Sequence, residues 1–204
     1  MFADFTIPKH NEAEFVEIAI KLGIKKMYFL YNFEDYNEER IHEKLKSIDN
    51  KKIAIELALI ANLKNLNKAH KQAKLMIAKS SDDDRMMMEG KKIKMIYGLE
   101  ESKRKDYLHQ RASGLNHIMC ELAKRNNIAI GFSYSSLLNK VNSHALTLGR
   151  IRQNIKLCQK YKLKTAIGSF TEKPLEMRSP CDIQSLFNIL GMDSRNVKES
   201  LSYY

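Results

Sequence analysis

The feature that most constrains the fold of this chain is a series of seven short apolar runs separated by longer stretches with helical periodicity. Most of the runs are nearly continuous in apolar residues and do not alternate with polar ones, which is typical of strands covered on both faces. Such strands belong to parallel sheets, whose crossover helices cover both faces. The predicted strands are residues 2–6, 27–30, 53–60, 75–78, 93–97, 128–132 and 165–169.

The stretches between these runs and after the last of them predict seven helices. They are residues 11–22, 37–47, 65–72, 114–125, 143–161, 182–190 and 194–201. This alternation indicates right-handed βαβ units in one α/β domain spanning residues 1–204, built either as a barrel or as an open doubly wound sheet. No Gly-x-Gly-x-x-Gly motif follows the first predicted strand, which disfavours a dinucleotide-binding domain.

The segment 79–90 is the least regular part of the pattern and contains Asp82-Asp83-Asp84 and Met86-Met87-Met88. Three adjacent aspartates suit a solvated helix start, where the helix dipole favours negative charge. A divalent-cation cluster is the alternative interpretation of the same residues. We predict the helix start.

Positive charge is concentrated in one part of the chain. The formal net charge is +11, and residues 122–171 contain no aspartate or glutamate. So uneven a field attracts polyanions, and for a chain without a membrane segment it favours nucleic acid as the partner. The nine cations of this segment are Lys124, Arg125, Lys140, Arg150, Arg152, Lys156, Lys160, Lys162 and Lys164. The acidic stretch 34–49 is a part that RNA should avoid.

The chain carries no sign of export or membrane insertion. Residues 1–6 lack the charged start and long apolar run of a signal peptide, and the most apolar stretch, residues 53–63, is too short to span a bilayer. Cys120, Cys158 and Cys181 form no Cys-x-x-Cys pair, so we predict buried thiols and neither a disulfide framework nor a zinc site. We expect a cytoplasmic protein with no membrane partner.

Two basic clusters are candidate RNA-binding surfaces. In the predicted helix 143–161, Arg152, Lys156 and Lys160 recur every four residues beside an apolar face, with no acidic residue to offset them. The second cluster runs from Lys91 to Arg111, where basic residues are interleaved with Tyr107 and His109, which suits backbone contacts and base stacking. Its basic members are Lys91, Lys92, Lys94, Lys103, Arg104, Lys105 and Arg111.

No self-contained catalytic site is evident. The six histidines form neither a His-x-His nor a His-Glu-x-x-His motif, and the nucleophile-elbow and Walker motifs are absent. His117 and Glu121 share a helix face, but two ligands do not make a metal site. Two Ala-Ile-Gly triplets, at residues 129–131 and 166–168, end predicted strands, where glycine meets a packing need or admits a ligand.

Several short motifs, taken in order and at their spacing, resemble the archaeal and eukaryotic ribonuclease P protein component 3 family, the thirty-kilodalton subunit family. The resemblance is firm from about Tyr107 to Ser202. The motif residues are Arg111-Ala112-Ser113-Gly114-Leu115-Asn116-His117-Ile118, Asn127-Ile128-Ala129-Ile130-Gly131-Phe132-Ser133, Leu148-Gly149-Arg150, Gln153-Asn154-Ile155, Leu157-Cys158, Arg178-Ser179-Pro180, Asp182 and Leu190-Gly191-Met192. Part of this pattern is architectural, since Ser113 is a candidate helix N-cap and Pro180 with Asp182 resembles a helix start.

The resemblance implies a modified (β/α)8 barrel and a non-catalytic subunit of ribonuclease P. In that enzyme the RNA, with Mg²⁺, removes the 5′ leader of precursor tRNA. The implied partners are the ribonuclease P RNA, a component 2 family protein and other protein subunits, with precursor tRNA contacted indirectly. This chain itself is expected to bind no cofactor. The alternatives are a generic RNA-binding barrel and a metal-dependent phosphoesterase of the related fold, whose histidines are missing here. Predicted RNA-binding residues are Lys103, Arg104, Lys105, Arg111, Arg150, Arg152, Lys156, Lys160 and Arg178.

Overall fold

A computed structural model describes residues 2–48, 52–73, 75–106, 111–138 and 143–202 of the chain. It contains a seven-stranded sheet in which each strand is parallel to the next in the sequence. All seven predicted strands are confirmed, with ends that shift by at most two residues. They are β1 (Ala3–Thr6), β2 (Lys26–Asn32), β3 (Ala54–Ile60), β4 (Met76–Lys79), β5 (Met95–Tyr97), β6 (Ala129–Ser133) and β7 (Thr165–Gly168).

The sheet closes into a barrel where β7 returns to β1. Thr6 and Thr171 form an isolated parallel bridge, and the Phe170 amide donates to the Phe5 carbonyl at 2.7 Å. Asp4 adds a side-chain closure, because its carboxylate accepts from the Ser169 amide and hydroxyl at 2.6 and 2.7 Å. The predicted barrel is therefore confirmed, and it is modified in that seven strands rather than eight complete it.

The helices cover the outside of this barrel. All seven predicted helices are confirmed, and the described residues contain two more, α4 and α6. The helices are α1 (Glu12–Lys21), α2 (Glu38–Ser47), α3 (Leu66–Gln72), α4 (Asp84–Glu89), α5 (His117–Arg125), α6 (Ser135–Leu138), α7 (His144–Tyr161), α8 (Pro180–Ile189) and α9 (Ser194–Leu201). Short 3-10 turns lie at Phe33–Asp35, Leu99–Glu101 and Pro174–Glu176. None of the described helices is both long and apolar enough to cross a bilayer.

Capping side chains fix where these helices begin. Asn116 starts α5 by accepting from the Met119 amide, so the predicted cap at Ser113 is wrong; Ser113 is buried and contacts α7 instead. The predicted helix start at Pro180 is confirmed, with Ser179 as the cap. The aspartate run starts α4 as predicted, but Asp84 is buried rather than solvated, because Ser80 and Ser81 donate to its carboxylate.

Stacked aromatic side chains fill the interior of the barrel. Phe5 stacks on Tyr28 and Phe170, with ring centroids 4.6 and 5.3 Å apart, and Phe170 stacks on Tyr97 at 4.3 Å. The Lys26 ammonium lies 4.8 Å from the Tyr28 ring centroid and closes the stack at the end where the strands begin. The interior is thus packed and leaves no passage between the strands.

The glycines of the two Ala-Ile-Gly triplets serve this packing. A Cβ on Gly131 would lie 2.8 Å from the Tyr97 Cβ, and one on Gly168 would lie 2.9 Å from the Phe5 ring. Since real Cβ contacts are longer than this, both strands need glycine to let the aromatic side chains approach. The packing interpretation of these triplets is confirmed.

A second layer of core lies between the barrel and the helices. Ile151, Ile155 and Cys158 of α7 are buried there, as their spacing predicts. Cys120 is buried as well, and burial raises the pKa of its thiol to about 11. The prediction is wrong for Cys181, which is exposed on α8.

Candidate nucleic-acid interface

The two ends of the barrel carry different groups of charged residues. We call the end where the strands begin the lower end and the end where they finish the upper end. The connection from β5 to α5 is described at residues 98–106 and 111–116, and these residues lie at the upper end and pack on α7. Because α7 runs antiparallel to the strands, its first residues are at the upper end and its last residues are at the lower end.

Arg150 joins this connection to α7. Its side chain is 1% exposed, and its guanidinium makes five hydrogen bonds, one for each N–H it carries. Nε and Nη2 donate to Asp106 Oδ1 at 3.1 and 2.9 Å. The other acceptors are the carbonyl oxygens of Glu100, Ser102 and Arg104.

The predicted role of Arg150 as a phosphate contact does not fit this geometry. No N–H of the guanidinium is left for a phosphate, and the side chain has almost no contact with solvent. Arg150 therefore holds the connection on α7. Sequence reasoning missed its partner, Asp106. The one clue to this residue in the sequence is that an acid stands within the basic run 103–111.

Asp106 also positions the residues that follow it. Although burial alone would raise the pKa of its carboxyl, the Ala112 amide and the Arg150 guanidinium lower that pKa below its usual value. Asp106 Oδ2 lies 3.5 Å from Arg111 Nη1. Gln153 and Asn154 of α7 donate to Ser113 Oγ and to the Ser113 carbonyl oxygen, both at 2.9 Å. The carboxylate and these two amides fix Arg111 beside α7.

Arg111 begins a row of cations on the exposed side of α7. Its guanidinium covers Gly149, where a Cβ would lie 2.5 Å from Arg111 Cζ. Residues 149, 152, 156 and 160 are three or four apart and so follow one side of the helix. Arg152, Lys156 and Lys160 are all exposed, and about 12 Å of helix separates the first from the last. We call Arg111, Arg152, Lys156 and Lys160 the α7 row.

The remaining predicted residues lie at the upper end, apart from the α7 row. Lys103, Arg104 and Lys105 are exposed, and Arg104 lies 3.7 Å from Asp82 in an ion pair that solvent screens. Arg178 lies over the Tyr134 ring, 5.5 Å from its centroid, and donates to the carbonyl oxygens of Leu175 and Met177. Among Lys103, Arg104, Lys105 and Arg178, it is Arg178 whose side chain makes the most hydrogen bonds within the protein.

The second predicted cluster is divided by the fold. Strand β5 separates Lys91, Lys92 and Lys94 at the lower end from the run 103–105 and Arg111 at the upper end. These two groups cannot form one continuous surface across the packed barrel. Tyr107 and His109, predicted to stack on a base, lie outside the described residues, as does Lys140.

The carboxylates of Asp4 and Glu100 are buried in the barrel. Burial raises the pKa of Asp4 to about 6 and that of Glu100 to about 7. Glu100 Oε1 accepts from the Ser136 hydroxyl at 2.6 Å and the Ser133 amide at 3.2 Å, so it braces the loops around β6. Among the described residues, no three His, Cys, Asp or Glu side chains are placed to hold a metal, and His117 and Glu121 are both exposed.

Acidic groups lie on the opposite side of the barrel from α7. Glu34 and Asp35 line a cleft of about 200 Å³ at the upper ends of β2, β3 and β4. The rest of the predicted acidic stretch continues into α2, and its last residue, Asp49, lies outside the described residues. The molecule is therefore polarised, with cations along α7 and acids around β2 and β3.

Comparison with known proteins identifies relatives of this chain. A sequence model of the family described as RNase P subunit p30 matches residues 104–204. Ribonuclease P protein component 3 of Thermococcus gammatolerans is 36% identical over 103 residues, which cover 50% of this chain and 45% of that relative. The protein of the same name from Methanococcus maripaludis is 24% identical over 206 residues, covering 97% of this chain and 88% of the relative.

A solved structure shares the fold. A chain in the cryo-EM structure of archaeal ribonuclease P with mature tRNA superimposes with a TM-score of 0.81, covering 97% of this chain and 87% of that chain at 20% identity. The match includes nearly the whole barrel and not only the part that the family model covers.

Proposed function

Because this chain belongs to the ribonuclease P protein component 3 family, we propose that it is a protein subunit of ribonuclease P. In this role it binds the ribonuclease P RNA and supports removal of the 5′ leader from precursor tRNA. The main support for the proposal is the α7 row. Its four cations lie along one side of a helix, and residues 122–171 contain no aspartate or glutamate. Such a row is favourable when phosphates neutralise it.

The α7 row acts on RNA through charge and position. Arg111 offers a planar guanidinium suited to two phosphate oxygens, and Gly149 with Asp106 holds it at the start of the row. Arg152, Lys156 and Lys160 extend the charge along the helix. Phosphates that lie along α7 then repel one another less, so the RNA folds at a lower Mg²⁺ concentration.

The chemical step belongs to the RNA and its Mg²⁺ ions. The barrel interior is filled by aromatic rings, and the upper-end carboxylates Asp4 and Glu100 are buried and hydrogen-bonded within the protein. Neither carboxylate is exposed to a substrate. We propose that the chain acts as a scaffold for the RNA, and that the RNA and its Mg²⁺ ions supply the catalytic groups.

The protein partner is proposed to be a subunit of the component 2 family. A protein partner would cover apolar side chains that the chain leaves in solvent. Leu175 and Ile189 are 82% and 81% exposed, the highest values among the large apolar residues described. Leu175 lies in the 3-10 turn after β7 and Ile189 ends α8, so neither belongs to the α7 row.

Binding of the RNA tests the proposed function. The chain is expected to bind the cognate ribonuclease P RNA more tightly than a structured RNA of equal size. The double variant Arg152→Gln, Lys156→Gln should lower the slope of log affinity against log salt by about two, roughly one per lost phosphate contact. The control is Lys21→Gln, Lys25→Gln, which removes the same charge from exposed positions on the β2 side of the barrel.

Two results would contradict this proposal. Equal affinity for the two RNAs would make the chain a general RNA-binding barrel. An unchanged slope in the Arg152, Lys156 variant would remove the α7 row from the interface.

A further inference from the structure

A second group of cations lies at the lower end of the barrel, where the fold brings three separate loops together. These loops precede β5, β6 and β7, and backbone hydrogen bonds join them: Ala129 donates to the Lys94 carbonyl and Ile130 donates to the Lys164 carbonyl, each at 2.9 Å. Adjacent strands are about 4.8 Å apart, so the loops form one continuous surface. We call five of its exposed cations, Lys91, Lys124, Arg125, Lys162 and Lys164, the lower cluster.

These cations are not used to balance acids of the protein. Within the described part of the chain, no ion pair involves a member of the lower cluster. The acids around it have other partners or none: Glu89 pairs with Arg85, Glu199 pairs with Arg195, and Asp193 caps α9. Glu121 lies one turn before Arg125 on α5 without an ion pair between them. The cluster thus keeps its positive charge toward solvent.

Two of the lysines occupy backbone conformations that favour glycine. Lys91 and Lys162 have φ values of +57° and +54°, the left-handed region in which helices usually end with glycine. Lysine at such a position strains the backbone, and glycine would relieve that strain. A lysine near a helix C-terminus does gain from the helix dipole, so stability alone supplies one reason for the charge. The same reason applies at the ends of α5 and α7, but it does not account for Lys164, which lies three residues beyond the end of α7.

We propose that the lower cluster is a second RNA-binding surface that contacts the phosphate backbone of an RNA helix. This inference rests on the proposed function and extends it to a separate part of the RNA. Four of the five cations are lysines, which act as point charges and suit phosphates read without base specificity. The α7 row starts at the upper end with Arg111 and ends at Lys160, two residues before Lys162 of the lower cluster. One segment of RNA then lies along α7, and a second lies under the barrel, beyond the end of the helix.

The test compares charge removal at the two surfaces in RNA binding and footprinting. Lys162→Gly, Lys164→Gln removes two lower charges and relieves the strain at residue 162, so this variant should fold at least as well as the parent chain. Arg152→Gln, Lys156→Gln represents the α7 row, and Lys21→Gln, Lys25→Gln is the control at the lower end on the β2 side. The probe is the ribonuclease P RNA alone, followed by hydroxyl-radical footprinting of the complexes.

The lower variant is expected to lower the salt slope by about two and to expose one protected RNA segment, while the α7 variant exposes another. The proposal is overturned if the lower variant behaves like the control, or if both variants expose the same segment. Unchanged RNA binding with loss of assembly onto another protein subunit would assign the cluster to an acidic protein and overturn it as well. If only the α7 variant binds RNA more weakly, the proposed function stands and the second RNA-binding surface is wrong. If the parent chain does not prefer ribonuclease P RNA, the proposed function and the second surface are both wrong.

Discussion

At the scale of single residues, Arg150 separates structural charge from binding charge. Arg150→Ala would leave the Asp106 carboxylate and three backbone carbonyl oxygens without their donor. Breaking a buried pair in this way costs about 3–5 kcal/mol. Two residues away, the exposed Arg152→Ala should change stability by no more than about 0.5 kcal/mol. Urea unfolding of both variants measures the difference, and equal losses would show that Arg150 does not hold the β5–α5 connection.

Glu100 gives the stability of the protein a distinctive dependence on pH. Burial raises the pKa of this carboxyl from 4.5 to about 7, so between these values the folded chain keeps a proton that the unfolded chain has released. The contribution of Glu100 to the free energy of unfolding is therefore greatest below about pH 4.5. This contribution decreases as the pH rises to about 7. Asp4 contributes in the same direction between its ordinary value of 3.8 and about 6.

Glu100→Gln isolates this effect. The amide keeps an oxygen for Ser133 and Ser136 but carries no charge, so the variant should be more stable than the parent at pH 8, by at most about 3 kcal/mol, and no more stable at pH 4. Chemical unfolding at the two pH values measures both, with the exposed Glu121→Gln as the control. A stability difference between variant and parent that is the same at pH 4 and pH 8 would mean that folding does not raise the pKa of Glu100.

At the scale of elements, Gly149 ties the geometry of α7 to RNA binding. A Cβ at this position would push aside the Arg111 guanidinium, which is the mobile end of a long side chain and can move at little cost. Gly149→Ala should therefore keep or improve stability, by up to about 1 kcal/mol from helix propensity. It should also lower the salt slope of RNA binding by about one, because Arg111 is displaced from the α7 row.

A double variant shows whether this loss comes from Arg111. Adding Gly149→Ala to Arg111→Ala should cause no further loss of RNA affinity, since the same contact is already gone. Additive losses would mean that Gly149 acts on the RNA interface in some other way.

The elements were largely predictable from sequence, and the exceptions have physical causes. The strands were placed to within two residues because both of their faces are covered and the apolar runs are continuous. The start of α4 was predicted at the aspartate run, but the burial of Asp84 was not, because it depends on hydrogen bonds from Ser80 and Ser81. The division of the basic run 91–111 by β5 could be inferred once the strand was predicted, since the two ends of a strand lie at opposite ends of a barrel.

The candidate site was less predictable than the fold. Sequence reasoning grouped Arg152, Lys156 and Lys160 on one helix face but assigned Arg111 to a separate cluster. The fold brings Arg111 beside the other three, and the role of all four in binding RNA stays a prediction. It misplaced Arg150 because burial of that side chain depends on Asp106, which is 44 positions away and unremarkable in the sequence. Whether a cation is exposed depends on how the folded chain packs around it. A count of charges along the sequence does not contain that information.

At the scale of the whole molecule, the barrel separates charge of opposite sign. The helices and loops around β5–β7 carry the cations, whereas the cleft at β2–β4 carries acids, so RNA can approach from one side without meeting repulsion. The closed, aromatic-filled interior makes the barrel a rigid support rather than a container for substrate. Family membership and this polarity together make a subunit of an RNA-based enzyme the function that we propose.

Cleavage of precursor tRNA tests that claim most directly. Ribonuclease P RNA and its component 2 protein are combined at a Mg²⁺ concentration too low for the RNA alone, and this chain is added or withheld. We expect 5′ leader removal only when the chain is present, weaker stimulation by the Arg152→Gln, Lys156→Gln variant, and no cleavage by the chain without RNA. If a folded chain binds both RNA and partner but does not stimulate cleavage, or if the chain alone cleaves precursor tRNA, the proposed function is wrong.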